Sequence, residues 1–311
     1  AALAFRARRV PISALAAFAG ALGLVSFLPQ NYELRYWLFV PLALALWTAR
    51  GIERAPALAR RALKTALVAG ALFVLFMIVT VIPWALAVVL VSVFARGPVI
   101  YTMCVGWLRT AIWAAKVICG VHARLHGMDN LPDGPLVLLP KHQSTWETFA
   151  FPGLMPRPLA YVFKRELLYI PFFGWAIGRM DMIHIDRSKR SEAWNKVAEQ
   201  GRRLMDHGHW VIMFPEGTRT PRGSQGAYKS GGTRLAVAAG VPVLPIAVTS
   251  ARCWPRKTFT LRPGVIDVSI GRPIPSTGRD PDELMREVER WIETEMRRLD
   301  PDAYAASPAH A

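Results

Sequence analysis

The sequence predicts an α/β domain, a sheet flanked on both faces by helices, preceded by N-terminal membrane helices. Three observations predict it. The first 118 or so residues are dominated by Ala, Leu, Val, Phe and Trp, with charge gathered into short clusters. From Val121 onward, short β-type runs alternate with helix-type runs, the pattern of a sheet covered by helices. A capped amphipathic helix then closes the domain near residue 300. A chain of 311 residues has room for one sizeable domain of this kind plus an appendage. The resulting division is 1–64 as N-terminal apolar segments, 65–118 as a membrane-embedded helical hairpin, 119–300 as the α/β domain and 301–311 as a disordered tail.

The uncharged run from Thr65 to Ala95 is 31 residues long, against the 20 or so that a helix needs to cross a bilayer. Val10 to Tyr32 is also free of charge, and Tyr36 to Ala49 is a shorter apolar stretch suited to completing a hairpin or lying at the interface. Such continuous apolarity leaves no polar face for water, which argues against buried helices of a soluble domain. No small-residue cleavage site follows the first run, so it reads as retained rather than as a signal peptide.

Arg6, Arg8 and Arg9 precede the first run, and Arg50, Arg54, Arg60, Arg61 and Lys64 precede the third, which places both clusters on the cytoplasmic side. For the later domain to be cytoplasmic as well, Val99 to Ile118 must return. Arg109 and Lys116 make that segment a poor span and a fair interfacial helix. A monotopic hairpin kinked at Pro83 fits equally well.

The net charge of +16 calls for an anionic partner. Many of the cations flank apolar segments and no nucleic-acid motif is present, so the expected partner is anionic membrane lipid. The three cysteines, Cys104, Cys119 and Cys253, have neither metal-ligand spacing nor a disulfide framework and read as structural thiols in a reducing compartment.

In the second half, strands are expected near 121–126, 135–140, 159–163, 181–185, 209–214, 242–249 and 265–271, with helices near 145–154, 190–206 and 230–239. Asp280 can N-cap the final helix, with Pro281 in its first turn and Leu284, Val288, Trp291, Ile292 and Leu299 recurring on one face as core. His122 and His126 have the i, i+4 spacing of a helical metal pair, but Val121, Ala123 and Leu125 alternate with them as in a strand, which argues against ligation. His207 and His209 read as surface residues of a turn.

Three groups of residues have the types that chemistry needs. His142 follows the apolar run Pro135 to Pro140 in Lys141-His142-Gln143-Ser144-Thr145-Trp146-Glu147, at the kind of strand end where α/β folds place active groups. With Glu147 fixing its tautomer, the imidazole can take a proton from an attacking hydroxyl. Ser144 through Glu147 also spells a capping box, so the pair has an equally good structural reading. In the second group, Val211 to Phe214 runs into Pro215-Glu216-Gly217-Thr218-Arg219. Gly217 lets backbone amides approach an anion there and Arg219 offers a bidentate fork, although Pro-Glu-Gly-Thr is also an ordinary turn. In the third, Lys164 and Arg165 end one strand and Arg187 follows the next; singly they read as solvated charge, and together they point to phosphate.

Taken together and in this order, these blocks resemble the 1-acylglycerol-3-phosphate O-acyltransferase family of glycerolipid synthesis. The resemblance covers roughly residues 70–300 and includes a fourth block, Val241-Pro242-Val243-Leu244-Pro245-Ile246. It implies a glycerolipid-acyltransferase-like sheet, with His142 as base and Glu147 as its orienting acid, standing where the family usually has Asp. Glu216, Gly217, Thr218 and Arg219 would bind the acceptor phosphate, helped by Lys164, Arg165 and Arg187. It also implies acyl-CoA or acyl carrier protein as donor, lysophosphatidate as acceptor, no metal or other cofactor, and backbone amides after His142 as oxyanion donors. A bacterial inner membrane, with the catalytic domain on its cytoplasmic side, is the expected location. His184, before Ile185-Asp186-Arg187, stands where the family is aromatic or apolar and reads as packing. Two readings stay open beside this one: the same chemistry on another lysolipid such as lyso-ornithine lipid, and a non-enzymatic basic membrane module.

Overall fold

The computed structural model describes residues 57–185, 190–256, 258 and 260–305. The two N-terminal apolar runs and Arg187 lie outside the described residues.

Helix α1 (Ala57–Val91) and helix α2 (Pro98–Cys119) form an antiparallel hairpin. α1 continues through Pro83, and the chain reverses in the turn at residues 92–97, which Gly97 and Pro98 close. Pro83 therefore does not form the hairpin bend. Two indole N–H groups tie the helices together: Trp84 Nε1 donates to the Met103 carbonyl at 2.8 Å and Trp107 Nε1 to Thr80 Oγ1 at 3.1 Å. Residues Ala62–Val91 are long and apolar enough to cross a membrane, and only 11% of that stretch's most apolar window is buried. Leu72, Leu75, Val79 and Leu90 on α1, Val93 and Phe94 in the turn, and Trp113 and Val117 on α2 all face outward. An outward surface this apolar suits lipid rather than water.

The domain that follows is a seven-stranded sheet: β1 (Val121–His126), β2 (Val137–Pro140), β3 (Leu159–Lys164), β4 (Ile183–Ile185), β5 (Trp210–Ile212), β6 (Val243–Val248) and β7 (Gly264–Ile270). Their spatial order is β1-β7-β6-β2-β5-β3-β4. β6, β2, β5, β3 and β4 run parallel, β7 is antiparallel to β6, and β1 runs with β7. The period of two sorts the strand side chains between the two faces. In and just before β2, Leu136 and Leu138 join one buried cluster while Val137 and Leu139 join the other. Each such fully buried aliphatic side chain contributes about 1.5–3 kcal/mol.

One face packs on α2 and on α3 (Trp146–Leu154), which follows β2; Trp107 meets Phe149 edge-on and Phe73 of α1 meets Trp254. The other is covered by α5 (Arg190–Asp206), α6 (Gly231–Ala239) and α7 (Pro281–Leu299); a short α4 (Phe173–Ile177) packs on α1. Asp280 caps α7 by accepting from the backbone N–H groups of Asp282 and Glu283, and Leu284, Val288 and Ile292 are fully buried on its core stripe. The stripe also carries an acid, Glu293, which is buried too.

Residues 301–305, the first part of the expected disordered tail, form defined structure, and residues 306–311 lie outside the described residues. Asp300 receives both arms of the Arg222 guanidinium at 2.7 Å and one arm of Arg252 at 3.1 Å, and a one-turn helix, α8 (Pro301–Tyr304), follows it. Gly223 makes this contact possible, because a Cβ there would lie 2.2 Å from the Ala303 carbonyl oxygen.

Candidate active site

The parallel strands β6, β2, β5, β3 and β4 deliver their carboxyl ends to one edge of the sheet. His142 leaves β2, the Glu216 to Arg219 turn leaves β5, Ser250 leaves β6, and Lys164 and Arg165 leave β3. Neighbouring strands lie about 4.8 Å apart, so the cations of β3 stand roughly 10 Å along this edge from the His142 strand.

His142 Nδ1 lies 3.3 Å from Glu147 Oε2, and the imidazole stacks on Phe214 with ring centroids 3.8 Å apart. The His142 side chain keeps 12% of its surface exposed while that of Glu147 is fully buried. Glu147 is held on all sides. Its Oε1 accepts from Gln143 N at 3.0 Å and from the Ser250 hydroxyl, and its two oxygens accept from Ser144 N at 3.0 and 2.9 Å. The capping box and the imidazole–carboxylate pair are therefore one structure: the acid that closes the first turn of α3 is the acid that faces the imidazole. Its extra methylene relative to Asp is absorbed because the loop amides draw the carboxylate back toward residues 142–144. Ser144 Oγ accepts from Trp146 N at 2.9 Å, the bond of a helix-initiating serine. With Nδ1–H turned to a carboxylate, Nε2 carries the free lone pair, which is the arrangement of a general base.

These contacts bear on three expectations. The N–H groups of Gln143, Ser144 and Trp146 are committed to side chains, and His142 N donates to Glu216 Oε2 at 2.8 Å. These four amides are unavailable to an oxyanion. Glu216 is the second. Instead of facing an acceptor phosphate, its carboxylate is buried and engaged by Lys141 Nζ at 2.8 Å, by His142 N and by Thr220 Oγ1 at 3.1 Å. Burial pushes its pKa up, opposed by the Lys141 charge. A carboxylate so placed braces the His142 loop, and a phosphate beside it would be repelled. The third concerns His184, which pairs with Lys196 as well as packing: Lys196 Nζ lies 2.9 Å from its Nε2. Burial, Lys196 and Arg165 all push its pKa down, which favours a neutral ring accepting from the ammonium.

Gly217 takes φ 66°, and a Cβ there would approach Lys229 Nζ to 3.1 Å, so an exposed ammonium sits over the turn. Thr218 is exposed. Arg219 is half-buried, and its Nε is shielded from solvent with no hydrogen-bond partner among the described residues. A buried guanidinium N–H without an acceptor is costly. Lys164 and Arg165 are exposed at the end of β3. Sequence reasoning did not single out Lys141, Thr220, Lys229 or Ser250. The only local signal was that Thr220 and Lys229 fall in the basic, Gly-rich stretch after the turn.

Residues 122–249 match the Acyltransferase family model. The 1-acyl-sn-glycerol-3-phosphate acyltransferase of Pseudomonas aeruginosa is 45% identical over 198 residues, which cover 63% of this chain and 77% of that protein. The human 1-acyl-sn-glycerol-3-phosphate acyltransferase alpha is 31% identical over 181 residues, covering 57% of this chain and 63% of its own length. The crystal structure of the 1-acyl-sn-glycerophosphate (LPA) acyltransferase PlsC from Thermotoga maritima shares the fold, with a TM-score of 0.63 over 75% of this chain and 95% of that one at 24% identity. With 45% identity across most of the Pseudomonas protein and an imidazole–carboxylate pair at the head of the matched sheet, the chain belongs to the 1-acyl-sn-glycerol-3-phosphate acyltransferase family.

Proposed function

We propose that the chain moves an acyl group from a thioester, acyl-CoA or acyl carrier protein, onto the sn-2 hydroxyl of 1-acylglycerol-3-phosphate, giving phosphatidic acid for phospholipid synthesis. The observation that carries this reading is the His142–Glu147 pair at 3.3 Å on the strand edge that also carries the orphaned Arg219 Nε. His142 Nε2 takes the proton of the acceptor hydroxyl as its oxygen attacks the thioester carbonyl. Glu147 stabilises the imidazolium that forms. Collapse of the tetrahedral intermediate breaks the C–S bond, and the imidazolium returns its proton to the departing thiolate. This balance needs no metal or cofactor beyond the donor.

Arg219 is the principal ligand of the acceptor phosphate in this proposal, with Lys229, Lys164 and Arg165 adding charge and Gly217 and Thr218 shaping the turn. Arg187 is retained from the family resemblance alone. The apolar outer surface of α1 and α2 favours a membrane-bound enzyme that meets its lipid acceptor in place. The cationic clusters before the apolar runs favour a cytoplasmic catalytic domain at a bacterial inner membrane, and the +16 charge favours anionic lipid around it.

The test is a pair of saturation curves, one per substrate, on detergent-solubilised protein. Arg219→Ala is expected to lower kcat/KM for lysophosphatidate about 100-fold, chiefly through KM, because a bidentate charge-assisted contact is lost. Arg219→Lys should recover only part, since an ammonium lacks the fork. A weakened thioester with an unchanged lysolipid would move this arginine to the donor site.

A further inference from the structure

Lys141 precedes the base, yet its side chain is fully buried, so its ammonium cannot touch a substrate. Its three N–H groups have three acceptors: Glu216 Oε1 at 2.8 Å, Glu293 Oε1 at 2.6 Å and the Ser224 carbonyl at 3.2 Å. Glu293 comes from α7 and also accepts from the Tyr228 hydroxyl at 2.8 Å. Glu216 hands the restraint on, since its other oxygen holds His142 N at 2.8 Å. Thr220, whose hydroxyl lies 3.1 Å from the same carboxylate, holds the His142 carbonyl through its N–H at 2.8 Å. The backbone of the base is thus gripped at both its donor and its acceptor by the turn after β5, and the charge that keeps that turn's carboxylate in place is Lys141.

We propose that Lys141 is a positioning residue: clamped between Glu216 and Glu293, it fixes the main chain of His142 so that the imidazole meets Glu147 and the acceptor hydroxyl in one geometry. This rests on the reading of His142 as base, and it brings α7, which lies outside the matched segment 122–249, into the active-site framework. A buried ion cluster contributes little net stability over an apolar replacement of similar shape, so stability alone is a weak reason for it. Precise placement is a strong one, because a displacement of about 1 Å at a reacting group costs up to about 100-fold in rate. Without the cation, Glu216 is a buried carboxylate opposed only by neutral donors. Burial then favours its protonated form, which grips His142 N less firmly.

The experiment measures turnover per folded protein, KM for lysophosphatidate and for the acyl thioester, and the thermal midpoint of the full chain in detergent. It compares wild type, Lys141→Met, Lys141→Arg, Lys141→Met/Glu293→Gln and His142→Ala. Lys141→Met is expected to lower kcat about 10- to 100-fold with both KM values within about 2-fold. Lys141→Arg should restore part of the loss. The double variant, which removes one buried acid along with the cation, should regain thermal stability while turnover stays low, because Glu216 still lacks its cation; it carries the test if Lys141→Met does not fold. Recovery of turnover together with stability in the double variant would make Lys141 purely structural and overturn the proposal, as would full kcat in folded Lys141→Met or a rise confined to the acceptor KM. If His142→Ala is inactive and Lys141→Met is normal, the positioning role alone fails. If His142→Ala matches wild type, the base assignment fails and the positioning role falls with it.

Discussion

Replacing His142 by alanine is expected to lower acyl transfer by about 10³-fold or more while the protein stays folded. A positioned general base contributes about 10² to 10⁴ in rate, and here its loss also strands Glu147 without the imidazole it faces. The fold is expected to tolerate the change because the imidazole stacks on Phe214 at the carboxyl-end edge of the sheet, with part of its surface exposed, rather than in either hydrophobic cluster. Turnover measured beside a thermal melt separates the two effects: near-normal melting with near-zero product is the expected pair. A folded variant with undiminished turnover would remove His142 from the mechanism.

Glu147→Ala is expected to lower transfer about 100-fold or more and, unlike the histidine change, to destabilise the domain. The fully buried carboxylate accepts from Gln143 N, Ser144 N and the Ser250 hydroxyl, and each buried donor left without an acceptor costs about 1–3 kcal/mol. Glu147→Asp keeps the charge but shortens the reach, so it should retain more activity and more stability than alanine. Activity and melting temperature measured across both variants check this. If Asp and Ala lose activity equally while Asp keeps its stability, the carboxylate serves the helix turn and not the imidazole.

The contrast between these two residues shows what the sequence could and could not reveal. His142 and Glu147 are five apart, and the spacing alone put both on one strand-to-helix turn. Separating the capping role from the catalytic one needed the geometry, which makes them the same carboxylate. The strands were legible because they are short apolar runs at the period of a buried sheet, and the Asp280 cap was legible because capping is local. The contacts of Glu216 were not legible because its partners are far away in sequence: Lys141 lies 75 residues before it, and Lys141 in turn meets Glu293 from 152 residues beyond. The order after residue 300 depends likewise on Arg222, 78 positions from Asp300. Periodicity carries no information about such pairs. The short α4 and the 3-10 turn Ser250–Arg252 escaped notice because they are too brief to show a helical period.

One assay decides whether the protein acylates a phosphate-bearing lysolipid. Purified protein in detergent is given an acyl thioester with lysophosphatidate or with lyso-ornithine lipid, and the acylated lipid and free thiol are both measured. Phosphatidic acid and thiol are expected in equal amounts from lysophosphatidate, with much less product from the phosphate-free acceptor. Efficient acylation of lyso-ornithine lipid with none of lysophosphatidate would contradict the phosphate assignment, and vesicle binding without product from any acceptor would contradict catalysis itself.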